Sequence, residues 1–280
     1  MAIIVNTNMS SLKTQNNLNS ATNALNTSLE RMSTGYKINS AKDDAAGLYV
    51  ATGLETQIRG SKIALSNVET GSNVLNTIEG DLDTILDNLN RIRDLATQAA
   101  NGVYDDTALD AMKAEVDARM EEIDRISQAS NFNGLQLLDG TTTDMRLQVG
   151  ANADADANSI EVTGVFEKTD SDSLGIKTPA ATAFDTADAA ATFIGTVDTA
   201  IDNISKKKSS IGAYMNRLES AQASLVTTIE NATAAKSTIM DADIAEESAE
   251  YTRQQILQQT SATLLVQANQ LPALALTLVS

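Results

Sequence analysis

Residues 68–99 read VETGSNVLNTIEGDLDTILDNLNRIRDLATQA. From Val68 the apolar positions run Leu75, Ile78, Leu82, Ile85, Leu89, Ile92, Ala96 and Ala99, in alternating steps of three and four residues. A helix turns once in 3.6 residues, so this spacing lays all of them along one stripe. The pattern spreads outward from there. Leu109, Met112, Val116, Met120, Ile123 and Ile126 form a second run, and Val197, Ile204, Ile211, Leu218, Leu225, Ala232 and Ile239 keep a seven-residue beat. The C-terminal stretch repeats that beat at Leu257, Leu264, Leu271 and Leu278, and the N-terminal stretch offers Leu18, Leu25 and Met32 with Leu29 beside them. The spacing predicts a mainly α fold, an elongated helical bundle or coiled coil of long helices. At ~1.5 Å per residue, a continuous helix over 41–100 would measure on the order of 90 Å, so a rod is expected.

Punctuation falls between the runs. Proline occurs only at Pro179 and Pro272. Gly35 suits a left-handed helix end, Ser40-Ala41-Lys42-Asp43 reads as a capping box for the next helix, and Asn101-Gly102 before Asp105-Asp106-Thr107 reads as a turn and a new N-cap. Helices are expected at about 42–100, 105–129 and 186–237. Between 135 and 175 the signal changes. Glycines cluster, and Met145, Leu147 and Val149, then Ile160 and Val162, alternate with polar neighbours. Such a pair of alternating runs predicts a small β-hairpin. The two ends carry complementary stripes and are expected to pair with one another.

Composition narrows the chemistry. Among 280 residues, 20 Lys and Arg against 37 Asp and Glu leave a net charge of −17, which argues against a nucleic-acid partner. Four Phe, five Tyr and no Trp make the apolar content mostly aliphatic, better suited to close helix packing than to a ring-lined cleft. There is no Cys and no His, which removes thiol and imidazole catalysis, Cys/His zinc sites and disulfides. Only carboxylates remain. The doublets Asp43-Asp44, Glu121-Glu122 and Glu246-Glu247, and the pair Asp241 and Asp243, could be read as acid/base pairs. Adjacent helical residues point about 100° apart, so a doublet splays rather than converges, and these read as solvated faces and first-turn charges. Asp154-Ala-Asp-Ala-Asn opens like a calcium loop, but Ser159 and Val165 stand where the loop needs Gly and Glu, so it reads as a turn. No catalytic, cofactor or metal site is expected, and the chain is read as no enzyme.

The start has no basic region and no apolar run long enough for a signal peptide, and no stretch approaches a membrane span, so no membrane insertion is expected. A secreted role would need another export route. The terminal stripes are short and diluted with Asn, Gln, Ser and Thr, as in Asn16-Asn17-Leu18-Asn19-Ser20. An isolated pair of such helices is marginal and gains order by packing on copies of itself. Head-to-tail contacts that do not close generate a filament.

Specific residues then match a known family. Ile4-Val5-Asn6-Thr7-Asn8 with Ser10-Ser11-Leu12, and the run from Leu29-Glu30-Arg31-Met32-Ser33-Thr34-Gly35 through Asp43-Asp44-Ala45-Ala46-Gly47, resemble bacterial flagellin. So do Gln255-Ile256-Leu257-Gln258-Gln259 and Gln267-Ala268-Asn269-Gln270-Leu271-Pro272. The resemblance covers essentially 1–150 and 190–280 and implies a short form without large variable outer domains. It implies a subunit that polymerises into the extracellular flagellar filament for swimming, exported unfolded through the flagellar type III channel. The implied domains are 1–41 with 238–280 as an inner terminal coiled coil, and 42–237 as an outer rod. Polymerisation would run through Leu18, Leu25, Met32, Leu257, Leu264, Leu271 and Leu278. Implied partners are further copies, the cap protein, an export chaperone on the C-terminal helix, hook–filament junction proteins and the flagellin-sensing Toll-like receptor. Within Asn90 to Asn101, Arg91 and Leu95 match the family's main receptor-contact positions, with Gln98 on the same helix and Glu115 on the next; subunit contacts are expected on the same face. Two rivals remain: a hook–filament junction protein, and a cytoplasmic coiled-coil adaptor.

Overall fold

The computed structural model describes residues 7–279, with side chains at all of these except 155 and 271–279. Along the chain it forms α1 (Met9–Thr34), α2 (Ala45–Ala99), α3 (Asp106–Ala129), β1 (Asn131–Phe132), β2 (Leu135–Gln136), β3 (Asp144–Gln148), α4 (Ala155–Asn158), β4 (Ser159–Thr163), α5 (Lys177–Ala183), α6 (Ala187–Met240) and α7 (Ile244–Val279). The fold is mainly α with a small β region, as the periodicity predicts. The chain divides into two compact units, Met1–Thr56 with Asn231–Ser280, and Gln57–Glu230.

The central unit holds one continuous apolar core. The whole α2 stripe from Val68 to Ala99 is buried, as are Val116, Met120, Ile123 and Ile126 of α3 and Val197, Ile204, Ile211, Leu218 and Leu225 of α6. Each such Leu or Ile taken fully out of water contributes roughly 1.5–3 kcal/mol, which outweighs the weak intrinsic propensity of any one helix. Ion pairs line the outside of this core: Arg93 Nε donates to Asp198 Oδ1 at 2.5 Å, and Lys208 pairs with Asp83.

The hairpin is β3 against β4, antiparallel in the register Asp144↔Thr163 to Gln148↔Ser159. The alternation puts Leu147, Ile160 and Val162 into the same core. It sits close on α2. A Cβ on Gly71 would lie 2.4 Å from Leu147 Cδ1, and one on Gly60 would lie 2.7 Å from Ala151 Cβ. Asn67 Nδ2 donates to Gln148 O at 3.2 Å, and Tyr214 Oη of α6 accepts from Thr163 N at 3.2 Å.

Some elements were not visible in the sequence. A two-residue turn at Asn133-Gly134, both with positive φ (51° and 84°), joins β1 to β2. That geometry matches the twist of a tight hairpin and is the reason Asn-Gly is favoured there. The short helices α4 and α5 are also additions. Pro179 lies in the first turn of α5, where its missing N–H costs nothing.

In the terminal unit α1 packs on α7. Gly35 ends α1 in the left-handed conformation (φ 76°) and donates its N–H to Arg31 O at 2.8 Å. The linkers pair next to it: Lys37 N–H reaches Met240 O at 2.6 Å, Ala242 N–H reaches Gly35 O at 2.9 Å, and Tyr36 faces Asp241 across an antiparallel bridge. The expected capping box at Ser40 is corrected here. Asp43 Oδ2 accepts from Ser40 N and Ser40 Oγ, both at 2.9 Å, which closes a turn before the helix. Asp44 caps α2 instead, its Oδ1 accepting from Ala46 N and Gly47 N at 3.0 and 2.9 Å. The carboxylate one residue later reaches two free N–H groups with the helix dipole behind them, so it outcompetes the hydroxyl. At Asp105 the expected cap is present, its side chain accepting from Ala108 N at 3.1 Å.

Candidate functional site

The α1–α7 pair is antiparallel, and four cross-helix hydrogen bonds show its register. Asn8 Nδ2 donates to Ala268 O (2.7 Å), Ser11 Oγ to Asn269 Oδ1 (2.7 Å), Gln258 Nε2 to Thr22 Oγ1 (3.1 Å) and Arg31 Nη1 to Glu247 Oε1 (3.0 Å). On α1 the covered line is Ser11, Thr14, Leu18, Ala21, Leu25, Ser28 and Met32, so Leu18, Leu25 and Met32 lie half-buried along it. On α7 the covered line is Glu247, Tyr251, Gln254, Gln258, Ser261, Leu265 and Ala268.

This corrects the expected apolar stripe on the C-terminal helix. Leu257 and Leu264 are off the pairing line and 46% and 50% exposed. Leu271 and Leu278 lie outside the residues whose side chains are described. The reason is steric. Alanine and serine at Ala21, Ser28, Ser261 and Ala268 let two helices approach closely, and the glutamines bond across the gap. Other large aliphatics are left outward: Leu12 and Leu29 on α1, and Ile256, Leu257, Leu264 and Val266 on α7, are all exposed. Small residues at steps of three and then seven (Ser11, Thr14, Ala21, Ser28) were the available sequence signal for the seam.

A second surface lies on α2 and α3. Arg91 grips Glu115 with both arms, Nε to Oε1 at 2.8 Å and Nη2 to Oε2 at 3.1 Å. The hydrogen bond from Arg91 holds the Glu115 carboxyl below its ordinary range, and the same bond raises Arg91. Arg119 Nη2 adds a 3.9 Å contact to Glu115, while its Nη1 donates to the buried Asn88 at 3.2 Å. Gln98 is exposed on the same helix. Leu95 is placed differently: at 2% exposure it belongs to the core, so Arg91, Glu115 and Gln98 form the accessible part of this face.

At least one member of each carboxylate doublet has a structural partner. Asp43 and Asp44 serve two different turns, Glu122 is held by Arg125 at 2.5 Å, Asp243 accepts from Ala245 N at 2.8 Å, and Glu247 meets Arg31. Among the described residues no three acidic side chains gather as a metal cage, and no helix is long and apolar enough to cross a membrane.

Comparison with known proteins agrees with both ends of the chain. The bacterial flagellin N-terminal helical region matches residues 5–143, and the bacterial flagellin C-terminal helical region matches residues 194–279. The chain is 35% identical to Flagellin FlaB1 of Treponema pallidum, over 95% of this chain and 96% of that protein. It is 36% identical to the flagellin of Bacillus subtilis, over 96% and 97%. A putative flagellar hook-associated protein from Vibrio parahaemolyticus shares the fold, with a TM-score of 0.60 at 17% identity over 71% of this chain and all of that one. Two flagellin regions at the two ends, and full-length relatives of nearly the same size, place the chain in the bacterial flagellin family, as a short form.

Proposed function

We propose that this chain is the structural subunit of a bacterial flagellar filament and that it assembles through the outward aliphatic faces of α1 and α7. The observation that carries the reading is the split of each terminal helix. A line of mostly small and polar residues, with Leu18, Leu25, Met32 and Leu265 among them, is used within the chain, and Leu12, Leu29, Ile256, Leu257, Leu264 and Val266 remain in water. Exposed large aliphatics on both members of one pair lower their free energy by packing on further copies. A contact that repeats without closing gives a helical polymer, an extracellular appendage that serves motility. The role is mechanical and needs no catalysis.

In this reading 1–41 with 238–280 form the inner layer and 42–237 the outer one. The subunit leaves the cell unfolded by the flagellar type III route, with a chaperone covering α7, and is placed under the cap protein above the hook–filament junction proteins. The Arg91, Gln98 and Glu115 face, with Leu95 beneath the surface, is the candidate contact for the flagellin-sensing Toll-like receptor and for neighbouring subunits. The test is seeded growth. Protein dissociated to monomers by heat is cooled, mixed with sheared seeds, pelleted and imaged. Long uniform filaments are expected from the full chain and none after removal of 241–280; closed small oligomers from the full chain would overturn the reading.

A further inference from the structure

Proline has no N–H, so a proline inside a helix leaves the carbonyl four residues earlier without its usual partner. Helix α7 runs through Pro272 to Val279, and the carbonyl four residues before Pro272 belongs to Ala268. That oxygen accepts instead from Asn8 Nδ2, at 2.7 Å. Asn8 is the N-cap of α1, and its other side-chain atom, Oδ1, accepts from Ser11 N at 3.1 Å. Ser11 Oγ in turn donates to Asn269 Oδ1 at 2.7 Å, one residue beyond the freed carbonyl.

We propose that Asn8 is a register-setting residue, a latch that starts α1 with one side-chain atom and with the other captures the α7 carbonyl that Pro272 frees. Along a seam where serine, alanine and glutamine dilute a few half-buried larger side chains, a slip of one turn costs less packing than in a core of large aliphatics. The freed carbonyl is different, because a slipped register leaves it and the Asn8 amide without each other. Most other carbonyls of the α7 interior are spent on their own helix and cannot substitute. The capping of α1 and the docking of α7 therefore become one event. The proposal deepens the assembly reading above, since the register of this pair fixes how the outward aliphatics of the two helices line up for a neighbouring copy.

The test is a mutant cycle on the full chain with Asn8→Asp, Asn8→Ala and Pro272→Ala, alone and combined. Amide exchange of 9–34 and 244–268 is read in the monomer and in any polymer, together with the critical concentration for seeded growth. Asn8→Asp keeps an oxygen for the Ser11 N–H but loses the donor to Ala268. It is expected to lower protection of both segments roughly fivefold, about the worth of one hydrogen bond. In the Pro272→Ala background, where residue 272 supplies the helical N–H again, Asn8→Asp is expected to have no effect on 244–268. A loss with Asn8→Ala but none with Asn8→Asp would show a capping residue only and overturn the latch, as would equal Asn8→Asp losses in both backgrounds or exchange without protection in every state. A full chain that shows the coupling but never grows from seeds would leave the latch standing and overturn the assembly reading.

Discussion

Arg91 and Glu115 meet across α2 and α3 as a two-pronged ion pair, at 2.8 and 3.1 Å, with Arg119 as a third member at 3.9 Å. The two charged groups that flagellin resemblance marks for receptor contact are thus already partners within the chain. A planar guanidinium fixed this way is presented at one angle, which lowers the ordering cost of any contact it makes. Arg91→Asp removes that arm and sets a carboxylate beside Glu115. Activation of receptor-bearing reporter cells by monomers is expected to fall roughly tenfold or more, the scale of a hot-spot loss. The double variant with Glu115→Arg restores a pair of opposite charges in reversed positions and is expected to stay inactive. Unchanged signalling by Arg91→Asp removes this face from the receptor assignment.

Core and terminal leucines separate stability from assembly. Leu82 is wholly buried on the α2 stripe, so Leu82→Ala is expected to cost about 2–5 kcal/mol in denaturant unfolding of the monomer. Leu264 stands half in water, and Leu264→Ala is expected to change monomer stability by no more than about 0.5 kcal/mol. The same variant should raise the critical concentration for seeded growth. A monomer destabilised by Leu264→Ala as much as by Leu82→Ala would place that leucine inside the fold instead.

The contrast also shows what the sequence made legible. The beats through Val68–Ala99 and Val197–Leu225 could be read because the central unit buries large aliphatics, and hydrophobic periodicity reports burial of large aliphatics. The same logic misread α7. There the apolar beat at Leu257 and Leu264 faces away, and the chain pairs through Gln254, Gln258, Ser261 and Ala268, whose spacing carries little hydrophobic contrast. Leu95 failed in the opposite sense: its place four residues after Arg91 suggested a shared exposed face, but it also falls on the core side of α2. The Asn8–Ala268 bond was invisible for a third reason. It joins residues 260 apart and depends on the N–H that Pro272 lacks.

Acid should loosen the central unit. The Asp105 carboxyl is lowered by the Thr107 hydroxyl and the Ala108 N–H, and the Glu115 carboxyl by Arg91. Between those lowered values and the ordinary carboxylate range the unfolded chain binds more protons than the folded one. This stabilisation is therefore fully present above the ordinary range and is lost as pH falls through the lowered values. The melting temperature of the monomer is expected to hold above the ordinary carboxylate range and to decline as pH falls below about 5. Asp105→Asn keeps an oxygen for the Ala108 N–H but cannot titrate, so its decline should be shallower. An identical slope for the variant would assign the acid sensitivity to other carboxylates.

Two glycines of α2 should respond to alanine with opposite signs. Nothing lies within 4 Å of a Cβ built on Gly80, so Gly80→Ala gains only the entropy of a stiffer unfolded chain and is expected to stabilise by up to about 1 kcal/mol. At Gly60 the added Cβ would stand 2.7 Å from Ala151 Cβ and 3.3 Å from Ala151 Cα, against a backbone that cannot swing aside as a long side chain can. The segment between β3 and β4 must then lift from the helix. Gly60→Ala is expected to lower the melting temperature and to speed amide exchange around Gln148, whose carbonyl takes the Asn67 bond. Because the two substitutions share one helix and one intrinsic propensity term, their difference isolates the contact. If both variants gained stability equally, the hairpin would not be seated on α2 at Gly60, and the small residue there would have no packing role.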